Sequence, residues 1–296
     1  MVNGNNNRLS WTEARWTDIN KVIHDEVALL RKARRDEGAN LQGSARFLTL
    51  FGQQNGFVDH VIGYKVDDAQ AGKPLSISAG QSLVPATIWV NFQLSREQFN
   101  DENVATALAT KAAYRLALAE DHVLLHGAAA ASSLDKLDVS YEYLNLQSSL
   151  FRHGLKSVRK PVLESIIDGI RRLREKNHHG EYCAIVSPDL YQEAFAPRHN
   201  TLDAPIYEIR PLLKKSGFIY SPAAPPKSGV VFSLGGRTID LAVPVDASTE
   251  LDQEEKGIAI FRVVEQIRLR VNDDTAVVTL GEADSDTSKI EAKKSA

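Results

Sequence analysis

Apolar residues Trp16, Ile19, Ile23, Val27 and Leu30 recur at three- and four-residue spacing and predict an amphipathic helix near the start of the chain. Ser10-Trp11-Thr12-Glu13 just before them has the form of a capping box, in which the serine oxygen and the glutamate satisfy each other's backbone N–H groups. The basic run Arg31, Lys32, Arg34 and Arg35 suits the negative end of the helix dipole, and Gly38 is the expected stop.

The periodicity then changes. From 53 to 85 there are only short strand-like runs, FVDHVIGYKV and PLSIS, between Gly52, Gly56, Gly72, Gly80 and Pro85. Connections longer than about 12 to 15 residues are uncommon in compact domains. A two-stranded arm is marginal in water unless it has a surface to lie on. The two readings are a hairpin folded onto its own domain and an arm received by a neighbouring subunit.

Ile88, Val90, Phe92 and Leu94 alternate with Trp89, Asn91 and Gln93, which predicts a half-buried strand. Asn100 or Asp101 is placed to cap an alanine-rich helix running to His126 and stopping at Gly127. At ~1.5 Å per residue it is about 36 Å long, a spine for a small domain. Residues 128–160 show no clean period. Pro161 opens a second amphipathic helix, YCAIVS is a strand, Pro188 starts a short helix, and 206–215 is expected to be helical despite Pro211. Runs at 217–220, 229–234 and 238–245 read as strands, with Gly235-Gly236 as the turn between the last two. Ile258–Val271 and Ala276–Leu280 read as a final pair joined by Asn272-Asp273-Asp274. The fold class is α+β.

Composition adds exclusions. The chain has 296 residues and a formal net charge of -3, which argues against a dedicated nucleic-acid binder. No run is long and apolar enough for a membrane span or a secretion signal, so a cytoplasmic protein is expected. One cysteine, Cys183, cannot form an intramolecular disulfide.

Candidate chemistry does not converge. His122 and His126 have the i, i+4 spacing of a zinc pair, but Val123 stands where a zinc protease needs glutamate. His178-His179 reads as a polar turn. Ser233 misses the nucleophile elbow because Val231 replaces its first glycine. No catalytic residue, metal site or cofactor is expected; a hydrolase using His122, His126 or Ser233 is the enzyme alternative.

Several stretches resemble one family. LSWTEARWTDIN with its basic-ended helix, VPATIWVNFQLSREQF, LALAEDHVLLHG, GEYCAIVSPDLYQEAF, SGVVFSLGGRTIDLAVPVD and FRVVEQIRLRVNDDTAVVTL are similar, in that order, to encapsulin shell proteins, whose fold is that of tailed-phage major capsid proteins. Residues 40–52 depart from the pattern, lacking its Gly-Pro and aromatic-rich stretch. The resemblance implies an N-terminal segment and helix over 1–45 and an extended arm over 46–88. It implies a peripheral domain from 89–128 and 247–281, an axial domain over 129–246 and a flexible tail over 282–296. It further implies a closed homo-oligomer around a cargo protein, such as a dye-decolourising peroxidase or a ferritin-like protein. Carried over, the cargo-docking residues are Ile23, Val27, Leu30, Arg34, Val264 and Ile267, and Arg198 and His199 line a pore. A phage or prophage capsid subunit is the other alternative.

Overall fold

A computed structural model describes residues 11–30, 49–51, 58–59, 61–63, 66–67, 76–77, 80–152, 155–156, 160–198, 203–214, 217–234, 238–255 and 257–281. In chain order the elements begin with α1 (Glu13–Leu30), β1 (Thr49–Phe51), β2 (Val61–Gly63), β3 (Val66–Asp67), β4 (Ser76–Ile77), β5 (Gln81–Leu83) and β6 (Ala86–Ser95). Next come α2 (Arg96–Phe99), α3 (Glu102–His126), α4 (Ala131–Lys136), β7 (Ser140–Glu142), β8 (Leu155–Lys156) and α5 (Val162–Glu175). The remainder are β9 (Tyr182–Val186), α6 (Pro188–Phe195), α7 (Ile206–Ile209), β10 (Phe218–Tyr220), β11 (Gly229–Ser233), β12 (Ile239–Glu255), β13 (Ile258–Val271) and β14 (Val277–Leu280). The chain divides into two compact units, Met1–Ser149 with Ile239–Asn272, and Leu150–Thr238 with Asp273–Ala296.

In the first unit a five-stranded sheet runs β1-β12-β13-β6-β7, parallel only at β1/β12. β6 keeps the predicted alternation: Ile88, Val90, Phe92 and Leu94 are buried, and Asn91 and Gln93 are exposed. On β13 Phe261, Val263, Glu265 and Ile267 lie opposite Phe92, Val90, Ile88 and Ala86 and share their face. Trp11 and Phe99 stack on Phe261 there, at 4.4 and 6.3 Å between ring centres. The spine helix α3 is capped by Asp101, whose Oδ1 accepts from the N–H groups of Asn103 and Val104 at 3.0 and 3.3 Å. Its buried side is rich in alanine (Ala105, Ala109, Ala112, Ala113), and such small side chains let α1 pack close. α3 ends at Gly127, whose φ of +57° is in the region that favours glycine.

The start of α1 differs from expectation. The helix begins at Glu13, and Thr12 Oγ1 accepts from the N–H of Arg15 at 3.3 Å, so Thr12 holds the first turn. Ser10, the basic run and Gly38 lie outside the described residues.

In the second unit a sheet runs β10-β9-β11-β14-β8. α5 lays Val162, Ile166, Ile170 and Leu173 into a core with Tyr182, Val231, Val278 and Leu280. Asp168 on α5 is buried and bonds Arg171 and Arg172 at 2.7 and 2.9 Å.

Two predicted hairpins do not form. β11 pairs with β9 and β14, whereas β12 pairs with β1 and β13, so these two strands are not paired with each other; Gly235-Gly236 lies outside the described residues. β14 pairs with β11 and β8, and β13 with β12 and β6, so the expected final pair lies in two sheets. Alternation reports which face is buried and leaves the partner open. Of the helix expected over 206–215, the described part is one helical turn, Ile206–Ile209, followed by a 3-10 turn at Arg210–Leu212, because Pro211 has no N–H to continue an α-helix.

Candidate assembly and docking surfaces

Between β1 and β6 the described chain forms two short antiparallel ladders, β2/β5 and β3/β4, and neither joins another strand. Ile62 on β2 is 65% exposed. This ribbon is held at its root by the face of β13 opposite Phe261. Gln266 Oε1 accepts from the Val58 N–H at 3.1 Å, and its Nε2 donates to the Val58 carbonyl at 3.5 Å and to Thr87 Oγ1 at 3.2 Å. Arg270 donates through Nη1 to the Ile62 carbonyl at 2.7 Å and through Nε to Asp240. Arg268 donates through Nη1 to the carbonyls of Val84, at 3.3 Å, and Leu146. Gln147 reaches the same Val84 carbonyl at 3.1 Å. Gln266, Arg268, Arg270 and Asp240 are all buried. Burial pushes the Arg268 pKa below its ordinary value; an arginine so placed nevertheless stays charged.

The docking candidates fall on different surfaces. Ile23 and Val27, with Ile19, are fully buried and form the inner face by which α1 sits on α3 and β12. Asn20 Oδ1 adds a bond from the Thr249 N–H at 2.8 Å. Ile267 is also fully buried and shares the Phe261 face of β13. Val264 is on the opposite face, lining a cavity of about 590 Å³ with Trp89, Val58 and Gln266. Leu30 ends α1, and Arg34 lies outside the described residues. Ile23, Val27 and Ile267 are therefore interior residues, and Val264 lies on the other face of the sheet.

Of the two pore candidates, Arg198 follows α6 and pairs through Nη1 with Glu208 on α7 at 2.9 Å; both side chains are about half exposed. His199 lies outside the described residues.

The His122 and His126 rings are 5.9 Å apart between centres. Burial, and then the neighbouring His126, lower the His122 pKa to about 4, so this ring is neutral at pH 7. His178 is more than a turn residue: its Nε2 sits 2.8 Å from Thr275 Oγ1 and 3.5 Å from Asp273 Oδ2, tying the end of α5 to the segment before β14. Ser233 and Cys183 are buried in neighbouring strands. Among the described residues no group of three or more His, Cys, Asp or Glu could hold a metal ion, and no helix is long and apolar enough to cross a membrane.

Sequence reasoning missed Gln266, Arg268 and Arg270. Their alternation with apolar neighbours is the pattern of a solvent-facing strand edge, and only the chain folded over them makes them internal.

Comparison with known proteins agrees with this architecture. A virus-like particle protein from Pyrococcus furiosus superposes with a TM-score of 0.60 at 16% identity, covering 91% of this chain and all of that one. The capsid protein of Myoviridae phage XM1 gives 0.53 at 13% identity over 78% and 88% of the two chains. At such identities these likenesses establish the fold, that of tailed-phage capsid subunits. The type 1 encapsulin shell protein EncA of Myxococcus xanthus is 32% identical over 117 residues, a match spanning 40% of each chain. The model of the family described as encapsulating protein for peroxidase matches residues 11–268, and the chain belongs to that family, the encapsulin shell proteins.

Proposed function

We propose that this chain is a self-assembling shell subunit that closes with further copies of itself into an icosahedral compartment and holds a cargo enzyme by a short targeting peptide. The observation that carries this reading is the ribbon of β2/β5 and β3/β4, which pairs with no other strand among the described residues and exposes Ile62. Two isolated strands are marginally stable in water, and a second copy of the chain supplies the surface they lack. The first unit takes the peripheral role and the second the axial role. The shell does no catalysis itself, and it works in the cytoplasm.

Cargo docks along α1, with Leu30 and Arg34 as direct contacts. Ile23, Val27 and Ile267 act from beneath by holding the helix in place, and Val264 acts from the other face of the sheet. The cargo is a dye-decolourising peroxidase or a ferritin-like protein. Arg198 and His199 line a pore through which its small substrates pass.

Light scattering with negative-stain microscopy tests the reading. Closed particles of uniform diameter are the expected result. A monodisperse 32.6 kDa species at working concentration would overturn it. Nuclease-resistant nucleic acid inside the particles would point to a virus capsid instead. Co-purification of a partner lost on Arg34→Ala tests the docking assignment separately.

A further inference from the structure

We propose that Gln266, Arg268 and Arg270 form a lock that sets the direction in which the ribbon leaves the body of the subunit, and through it the size of the particle. The three side chains alternate along one face of β13, and each bonds a backbone atom of the ribbon root. Gln266 and Arg270 hold the outgoing rail at Val58 and Ile62, whereas Arg268 holds the returning rail at Val84. Val61 and Leu83 form the first ladder rung, so the outgoing rail is held on both sides of it and the returning rail on one. The lock is itself anchored: Arg270 bonds Asp240 on β12, and Gln266 bonds Thr87 on β6. β12 and β6 are the strands flanking β13, so the direction of the ribbon is referred to three strands of the sheet.

Swinging the root away would strip the buried Gln266, Arg268 and Arg270 of these backbone partners, which is costly, so the observed geometry is favoured. A ribbon held at one angle meets its neighbour at one angle, and a repeated contact of fixed angle closes at one radius. These residues position the ribbon without touching the neighbour. The inference rests on the shell reading but does not depend on cargo.

The test uses full-length particles of Gln266→Met, which removes both Val58 bonds at nearly constant volume, and of Arg270→Met with Asp240→Asn, which removes the buried pair together. Arg270→Lys is the conservative control. Three quantities are read: hydrogen exchange at Val58, the distribution of particle diameters, and thermal unfolding. The expected result is exchange at Val58 about three- to tenfold faster in Gln266→Met. Particles are then fewer and spread over several diameters, subunits unfold cooperatively near the parent temperature, and Arg270→Lys partly restores the single diameter. Particles of parental diameter and yield overturn the proposal whether or not exchange at Val58 rises. If the double variant does not fold, Gln266→Met alone decides by the same criteria; parent protein that forms no particles defeats the shell reading instead.

Discussion

The indole of Trp11 lies flat on the ring of Phe261, with centres 4.4 Å apart and planes 10° from parallel. Trp16 meets the same ring edge-on at 5.9 Å, so Trp11 just before α1, Trp16 in its first turns and Phe261 on β13 form one aromatic cluster. Trp11 is only 7% exposed, and it fastens the helix where its hydrogen-bond ladder is weakest. Trp11→Ala is expected to cost about 3–5 kcal/mol of stability, with Trp11→Phe recovering much of it. Thermal unfolding of the two variants measures this; an alanine variant that melts with the parent would mean α1 is seated by its aliphatic face alone.

That aliphatic face was readable beforehand. Ile19, Ile23 and Val27 recur at helical spacing, and they are the residues that are buried. The alternation in β6 and the cap at Asp101 were equally plain, because both are local signals. Strand partners were not local. β11 ends at Ser233 and β12 begins at Ile239, a gap short enough for a hairpin, yet the two strands enter different sheets. The polar face of β13 was not legible for a related reason: Gln266, Arg268 and Arg270 are internal because Val58, Ile62 and Val84 cross them. Of the docking candidates, Ile267 and Val264 could have been separated by parity, since residues three apart on a strand face opposite ways.

Gly127 ends the spine where no other residue fits. Its φ is +57°, and a Cβ there would come within 2.8 Å of the carbonyl oxygens of Gln147 and Ser148. Gly127→Ala should therefore destabilise the subunit by ~1–3 kcal/mol from backbone strain, with the clash added. Chemical denaturation checks this, and an unchanged midpoint would contradict the close approach.

His122 makes stability depend on mild acid. Its folded pKa is about 4 against an ordinary 6.5. Between those values the unfolded chain binds a proton that the folded chain refuses, so this group favours unfolding increasingly as pH falls from about 6.5 to 4 and has no effect above. His122→Asn should flatten that slope. Melting temperatures of parent and variant at pH 5 and 7 give the comparison, and parallel losses in both would remove His122 as the source.

The Arg198–Glu208 pair is exposed on both sides, so Arg198→Ala should change subunit stability by less than ~1 kcal/mol. If Arg198 lines a pore, the same change should slow entry of small anions into closed particles. Quenching of an enclosed fluorophore by iodide reads the rate, and an unaltered rate would remove Arg198 from the pore.

The lone thiol, Cys183, is wholly shut inside β9 between β10 and β11. Maleimide reagents therefore find nothing to alkylate on the native subunit. Any cysteine engineered onto its surface becomes the sole conjugation handle per copy, so dyes or antigens attached there would be spaced by the particle's symmetry alone.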